Sequence, residues 1–185
     1  MAKQITLPST LPPLKDRIKP GVRALFVGIN PGVRSSLLGH HFAGFSNRFW
    51  KLLSESGLAP RPVTYLDDDK LPEWGFGITN LVTRPTPGIG DLSPDEYEAG
   101  RAALLRKIRR YKPEVVALTG VSLARVLLPN AAGSRSASAL EPGLHPETLA
   151  GVPVFVLPNP SGRNAHYSYA RMLDAFRALK QYLDR

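Results

Sequence analysis

The stretch Val22-Arg23-Ala24-Leu25-Phe26-Val27-Gly28-Ile29-Asn30-Pro31-Gly32 decides how this chain folds. From Val22 to Ile29 it is short, almost continuously apolar and halted by a Gly/Pro turn, the pattern of a strand buried on both faces. The pattern returns at Phe76 to Val82, Val115 to Thr119 and Val154 to Leu157. Each of these is short, rich in β-branched or aromatic residues and followed by a polar or Gly/Pro turn.

Helical periodicity fills the gaps. Asn47 to Glu55 reads as a modest helix. Ser93-Pro94-Asp95-Glu96 opens a stronger one: Ser93 caps, Pro94 suits the first helical position and Glu96 completes a capping box. Tyr97, Leu104, Leu105 and Ile108 give that helix a buried face. In the last segment Tyr169, Met172, Leu173, Phe176, Leu179 and Leu183 recur at helical spacing, with Arg171, Arg177 and Lys180 as the solvated face. Strands alternating with helices predict an α/β fold, a three-layer α/β/α sandwich with a short, mainly parallel central sheet, whose ligands enter beyond the carboxyl ends of the strands. Residues 1–20, with Pro8, Pro12, Pro13 and Pro20, read as an extended lead-in to one domain over 21–185. Pro129 to Gly151 lacks periodicity and reads as a long surface excursion.

Composition narrows the chemistry. A length of 185 residues with 43% hydrophobic content suits a single core. The absence of Cys excludes disulfides, cysteine-ligated zinc and cysteine-ligated iron–sulfur clusters. His40, His41, His145 and His166 lack tight ligand spacing with carboxylates, so neither metal nor cofactor is expected. The start of the chain has no apolar signal core and no run approaches the ~20 residues that span a bilayer, which predicts a cytoplasmic protein. With 24 Lys+Arg against 15 Asp+Glu the formal charge is +9, favouring a polyanionic partner such as nucleic acid.

If the first and last strands are parallel, Gly28-Ile29-Asn30-Pro31-Gly32 and Pro158-Asn159-Pro160-Ser161-Gly162-Arg163 emerge at the same sheet edge and face one cleft. Glycines let backbone amides approach a ligand and prolines hold those amides in place, which suits a pocket for a flat heterocycle; two ordinary tight turns would look the same.

Those turns, together with Asn47-Arg48-Phe49-Trp50 and Arg84-Pro85-Thr86, resemble the mismatch-specific uracil/thymine-DNA glycosylases in order and spacing, from about Val22 to the end. The resemblance implies a uracil-DNA glycosylase-like fold. It also implies a monofunctional enzyme that hydrolyses the N-glycosidic bond of flipped-out uracil in mismatched DNA, with thymine and cytosine adducts left open as further substrates. Asn30 then matches the residue that holds the attacking water. Gly28 and Ile29 fall in the base pocket, the Ile29 amide as a donor to the departing base. Phe42 matches the aromatic that stacks on that base, and Ser35 the position near its C5 edge. Asn159, Ser161, Gly162, Arg163 and Asn164 form the loop that enters the duplex, with Arg163 as wedge, where some relatives carry an apolar residue.

The residues add their own limits. A carboxamide orients water but takes no proton at neutral pH, so Asn30 is no general base. Asp91, after Gly88-Ile89-Gly90, is the carboxylate that could assist, against the plainer reading of a helix-start residue. Asn80, ending the second strand, either contacts the ligand or closes a turn. Phe49 and Trp50 are expected in the core. Arg34, Arg48 and Arg163 are better placed for DNA than the basic run from Arg101 to Arg110, a solvated helix face. The expected partner is duplex DNA with a G:U or related mismatch, with single-stranded DNA as a second form, bound by a monomer. No lysine lies in a cleft motif, which predicts no Schiff-base chemistry. The competing reading is a non-catalytic sensor of mismatched or damaged DNA.

Overall fold

A computed structural model describes residues 11–128 and 140–185; the first half of the lead-in and residues 129–139 of the expected excursion lie outside the described residues. The elements, in chain order, are β1 (Ala24–Gly28), α1 (Val33–Leu38), α2 (Phe49–Glu55), a 3₁₀ helix (Tyr65–Trp74), β2 (Phe76–Asn80), a short 3₁₀ turn (Ile89–Asp91), α3 (Pro94–Tyr111), β3 (Val115–Thr119), α4 (Val121–Leu127), β4 (Gly143–Leu149), β5 (Val152–Leu157) and α5 (Tyr169–Leu183). The sheet runs in the order β2-β1-β3-β5-β4. β2, β1, β3 and β5 are parallel, and β4 joins antiparallel at the edge.

All five residues of β1 and of β3 are buried, as strands covered on both faces require. Their side chains alternate between two cores. Phe26, Ile78, Ala117 and Phe155 pack with Phe49, Leu52, Leu53 and Phe176 from α2 and α5. Leu25, Val27, Val116, Leu118 and Val156 pack with Leu104, Ile108, Leu123 and Leu127 from α3 and α4. These are the three layers predicted. The Ser93 capping box forms as read, with Pro94 in the first turn of α3. Gly100 lets α3 rest on the backbone after β2: a Cβ there would stand 2.5 Å from the Leu81 carbonyl.

Two expectations are corrected. The second part of the supposed excursion is β4, whose register shifts between His145 and Thr148, around Pro146. A proline donates no ladder bond and so is confined to an edge or a bulge, and both hold here. The described end of the lead-in is part of the fold. Arg17 exchanges backbone bonds with Ile78 at 3.0 and 2.8 Å, covering the free edge of β2, while Leu14 is buried. No helix among the described residues is long and apolar enough to cross a membrane.

Candidate active site

Parallel β1 and β5 deliver their two turns to one edge, and between them opens a cavity of about 530 Å³. Gly28, Ile29, Asn30, Ser35, Phe42, Asn80, Asn159, Ser161 and Arg163 all line it. Among the described lining residues there are four carboxamides, two guanidiniums, no carboxylate and no lysine.

The first turn is zipped to the segment after β2. Leu81 N donates to Gly28 O at 2.8 Å, Val82 N to Ile29 O at 2.8 Å and Thr86 N to Pro31 O at 3.2 Å. Asn30 joins the zipper through its side chain: Nδ2 donates to Arg84 O at 3.1 Å and to Thr86 Oγ1 at 2.7 Å. Thr86 is buried and its own hydroxyl donates to Gly88 O at 2.5 Å, so the oxygen can only accept from Asn30. With both N–H groups of the amide committed, Oδ1 is left as the free acceptor.

Asn80 is oriented in the same way. The His41 ring is buried beside the cavity, with Nε2 3.0 Å from Lys15 O. Burial lowers its pKa, against the opposing pull of the Lys15 carbonyl, Asp68 and Asp16, so the ring is neutral near pH 7. A neutral ring that donates from Nε2 must accept at Nδ1, and Asn80 Nδ2 lies 3.4 Å away. Asn80 Oδ1 then turns toward Gly28, where an added Cβ would stand 2.7 Å from that oxygen and 3.4 Å from the tip of Phe42. Glycine at 28 is what keeps this corner open.

Phe42 holds a left-handed backbone (φ 51°), unusual for a bulky side chain and the kind of strain that functional turns store. One face of its ring stacks on Phe49 at 4.3 Å, and the ring lines the cavity. Phe49 and Trp50 are in the core, Trp50 donating to His41 O at 3.0 Å. Ser35 is buried and its hydroxyl accepts from Ala43 N at 3.0 Å, bracing the segment that carries Phe42.

The second turn is stiffened by its own side chains. Ser161 N donates to Asn159 Oδ1 at 3.0 Å, Arg163 N to Ser161 Oγ at 3.3 Å and Asn164 Nδ2 to Asn159 O at 2.8 Å. Arg163 is exposed at the cavity wall, whereas Asn164 does not line the cavity and serves as a brace within the loop. Gly162 is pressed on the neighbouring segment, an added Cβ standing 2.6 Å from Ser46 O, and Arg48 N donates to Pro160 O at 2.9 Å.

Two residues are placed elsewhere than the sequence suggested. Asp91 does not line the cavity: its carboxylate accepts from Gly88 N at 3.0 Å and its carbonyl from Arg84 at 2.7 Å, so it closes its own turn. Arg84 also forks onto Glu96 at 2.6 and 2.8 Å, and this pairing, with the Ser93 amide, holds the Glu96 carboxyl down at about 2. Arg48 does not line the cavity either, its guanidinium reaching the Met172 sulfur at 3.8 Å. Conversely, Leu14, His41, Thr86 and Thr119 belong to the site or its support. So does fully buried Asp68, which accepts from His41 N at 2.9 Å and meets His40 Nδ1 at 3.0 Å.

The fold and cavity define an α/β/α domain with an open site at the carboxyl edge of its parallel strands, lined by the Phe42 ring and by side-chain amides held in hydrogen bonds. The chain belongs to the Uracil DNA glycosylase superfamily, whose profile matches residues 16–184. It is 39% identical over 164 residues to the G/U mismatch-specific uracil DNA glycosylase of Schizosaccharomyces pombe; the match covers 87% of this chain and 50% of the relative, so the chain spans about half the relative's length. The solution NMR structure of a candidate uracil DNA glycosylase from Methanosarcina acetivorans superposes with a TM-score of 0.63 at 15% identity, covering 94% of this chain and 98% of that one, a likeness of fold.

Proposed function

We propose that this chain is a monofunctional DNA glycosylase that removes uracil extruded from mismatched duplexes, with residues 11–20 joining 21–185 in one catalytic domain that acts as a monomer in the cytoplasm. The observation that carries this reading is Asn30, whose two N–H groups are committed to Arg84 O and Thr86 Oγ1 so that Oδ1 is the atom offered to water. The C1′–N1 bond breaks and its electron pair leaves with uracil. The sugar gains oxocarbenium character, and the water oriented by Oδ1 forms the new C1′–O bond. Asn30 takes no proton, so the proton of that water passes to solvent or to the departed base. Phe42 offers a ring face to the extruded base, Asn80 Oδ1 an acceptor for its edge, and Ser35 a boundary beside it. The lack of lysine among the described lining residues supports an intact abasic strand as product.

Single-turnover excision on G:U, A:U and single-stranded substrates tests the reading. Wild type releases uracil, and Asn30→Ala lowers the rate by about 100-fold or more, the scale set by misplacing a reacting group. Release of no base by wild type, with binding retained, would establish the sensor reading instead.

A further inference from the structure

Phe45 is 90% exposed, far more than any other large apolar side chain among the described residues. Burial therefore does not account for it, since a ring in water adds almost nothing to folding. Its setting is nonetheless built. Asn47 N donates to Gly44 O at 3.0 Å, closing a tight turn with Phe45 at the tip. Arg34 Nε donates to Ala43 O at 2.8 Å, and its guanidinium lies 3.6 Å from the Phe45 ring centroid. One face of the ring is thus taken by a cation and the other is open.

Position supplies the occupant. Phe45 lies on the ridge shared by the base cavity and a neighbouring apolar groove. The next residue, Ser46, is in direct contact with Gly162 in the loop that carries Arg163. The open ring face is therefore one residue from the point where the two rims of the cavity meet, with the Arg34 guanidinium on its other face and Arg163 lining the same cavity. When a nucleotide is drawn into the cavity its neighbour on the strand loses a stacking partner, and an exposed aromatic at the rim can replace it. We propose that Phe45, backed by Arg34, stacks on the nucleobase next to the extruded nucleotide on the same strand. This rests on the glycosylase reading above. It makes Phe45 a second DNA-contacting element, separate from the Asn30 chemistry and from Arg163.

The test uses duplexes holding a non-cleavable 2′-fluoro-deoxyuridine opposite guanine, with 2-aminopurine on its 5′ or 3′ side, a base whose fluorescence falls when it is stacked. In the saturated complex one of the two positions becomes brighter with Phe45→Ala than with wild type, Phe45→Tyr restores the quenching, and Phe45→Leu, apolar but without a flat face, follows Ala. On the cleavable duplex Phe45→Ala raises the half-saturating concentration about tenfold, the scale of one base–aromatic stack. Equal fluorescence of wild type and Phe45→Ala at both positions overturns the stacking role while leaving the glycosylase reading intact. A wild type that binds the cleavable G:U duplex but excises no uracil from it overturns the glycosylase reading, and this one with it.

Discussion

Replacing Thr86 by Val tests whether the orientation of Asn30 is what makes the site work. Val matches Thr in shape at this buried position and removes only the hydroxyl, and with it two hydrogen bonds: Asn30 Nδ2 to Oγ1 at 2.7 Å and Oγ1 to Gly88 O at 2.5 Å. A buried partner left unsatisfied costs about 1–3 kcal/mol, so a stability loss of about 2 kcal/mol is expected. The kinetic effect has a different origin. In the wild type, turning the amide over would set Oδ1 against the Arg84 carbonyl and make the Thr86 hydroxyl abandon Gly88. In the variant only the Arg84 contact at 3.1 Å opposes the turn, and the side chain also gains freedom to swing. A water misplaced by about 1 Å costs on the order of 100-fold, so a fall of about 10- to 100-fold in single-turnover uracil release is expected, equivalent to ~1.4–2.7 kcal/mol in the barrier. Thr86→Ser keeps the hydroxyl and restores most of the rate. The assay is rapid-quench excision on a G:U duplex at saturating enzyme, with thermal melts showing the fraction folded. A folded Thr86→Val that releases uracil at the wild-type rate would refute the reasoning, because the amide would then need no lock.

Three further outcomes follow from the same geometry. Asp91→Asn should leave the single-turnover rate unchanged, because its carboxylate is bound to Gly88 N and does not line the cavity; the expected cost is a stability loss of about 1 kcal/mol, read by chemical denaturation. His41 has a folded pKa below its ordinary 6.5 through burial, with Asp68, Asp16 and Arg17 as the charged groups around it. The unfolded chain therefore takes up the proton first, and the stability contributed by the neutral ring, present above pH 6.5, is lost as the pH falls through and below that value. A protonated ring would also present N–H to Asn80, so excision should fall on the acid side in wild type, and the pH–rate profile of His41→Gln should lose that limb. Arg163→Ala should slow excision from paired duplex while sparing single strands; equal losses on both would make Arg163 a phosphate contact.

Much of this architecture is legible in the chain because local and global preferences agree. β1, β3 and the capping box at Ser93 are set by burial on both faces and by side-chain geometry that neighbours three residues apart complete alone. What was not legible depends on distant partners. β4 hides because Pro146 interrupts its alternation and the strand exists only as an edge partner of β5. α1 is six residues long and starts from Gly32 without a side-chain cap. The 3₁₀ helix over Tyr65–Trp74 did carry a signal, the Thr64 to Asp67 capping box, obscured by Pro72 inside it. In the site, Asn30 and Phe42 could be picked out by motif. Thr86 stands in the Arg84-Pro85-Thr86 motif without a role of its own and His41 looks ordinary in sequence, and their contacts arise only when β2 and the lead-in come alongside β1. For Asp91 the sequence left two readings open, a carboxylate that assists water and a helix-start residue, and the fold places its carboxylate on Gly88 N, outside the cavity lining.

The locks on the cavity share one origin. Gly28 and Asn80 are direct partners in the β1–β2 register, so the ends of the two strands are level and each hands its side chain to the segment beyond the other. Asn30 beyond β1 is held by Thr86 beyond β2, while Asn80 at the end of β2 is held by His41 beyond α1. A slip of one residue between β1 and β2 would move every partner by about 3.3 Å and turn the strand's side chains to the opposite face. What forbids that slip is far from the cavity: Phe26 and Ile78 on one face of the sheet and Leu25 and Val27 on the other, all fully buried. The hydrophobic pattern of Ala24 to Gly28 therefore does more than form a strand. By fixing register it sets which way the Asn30 amide faces.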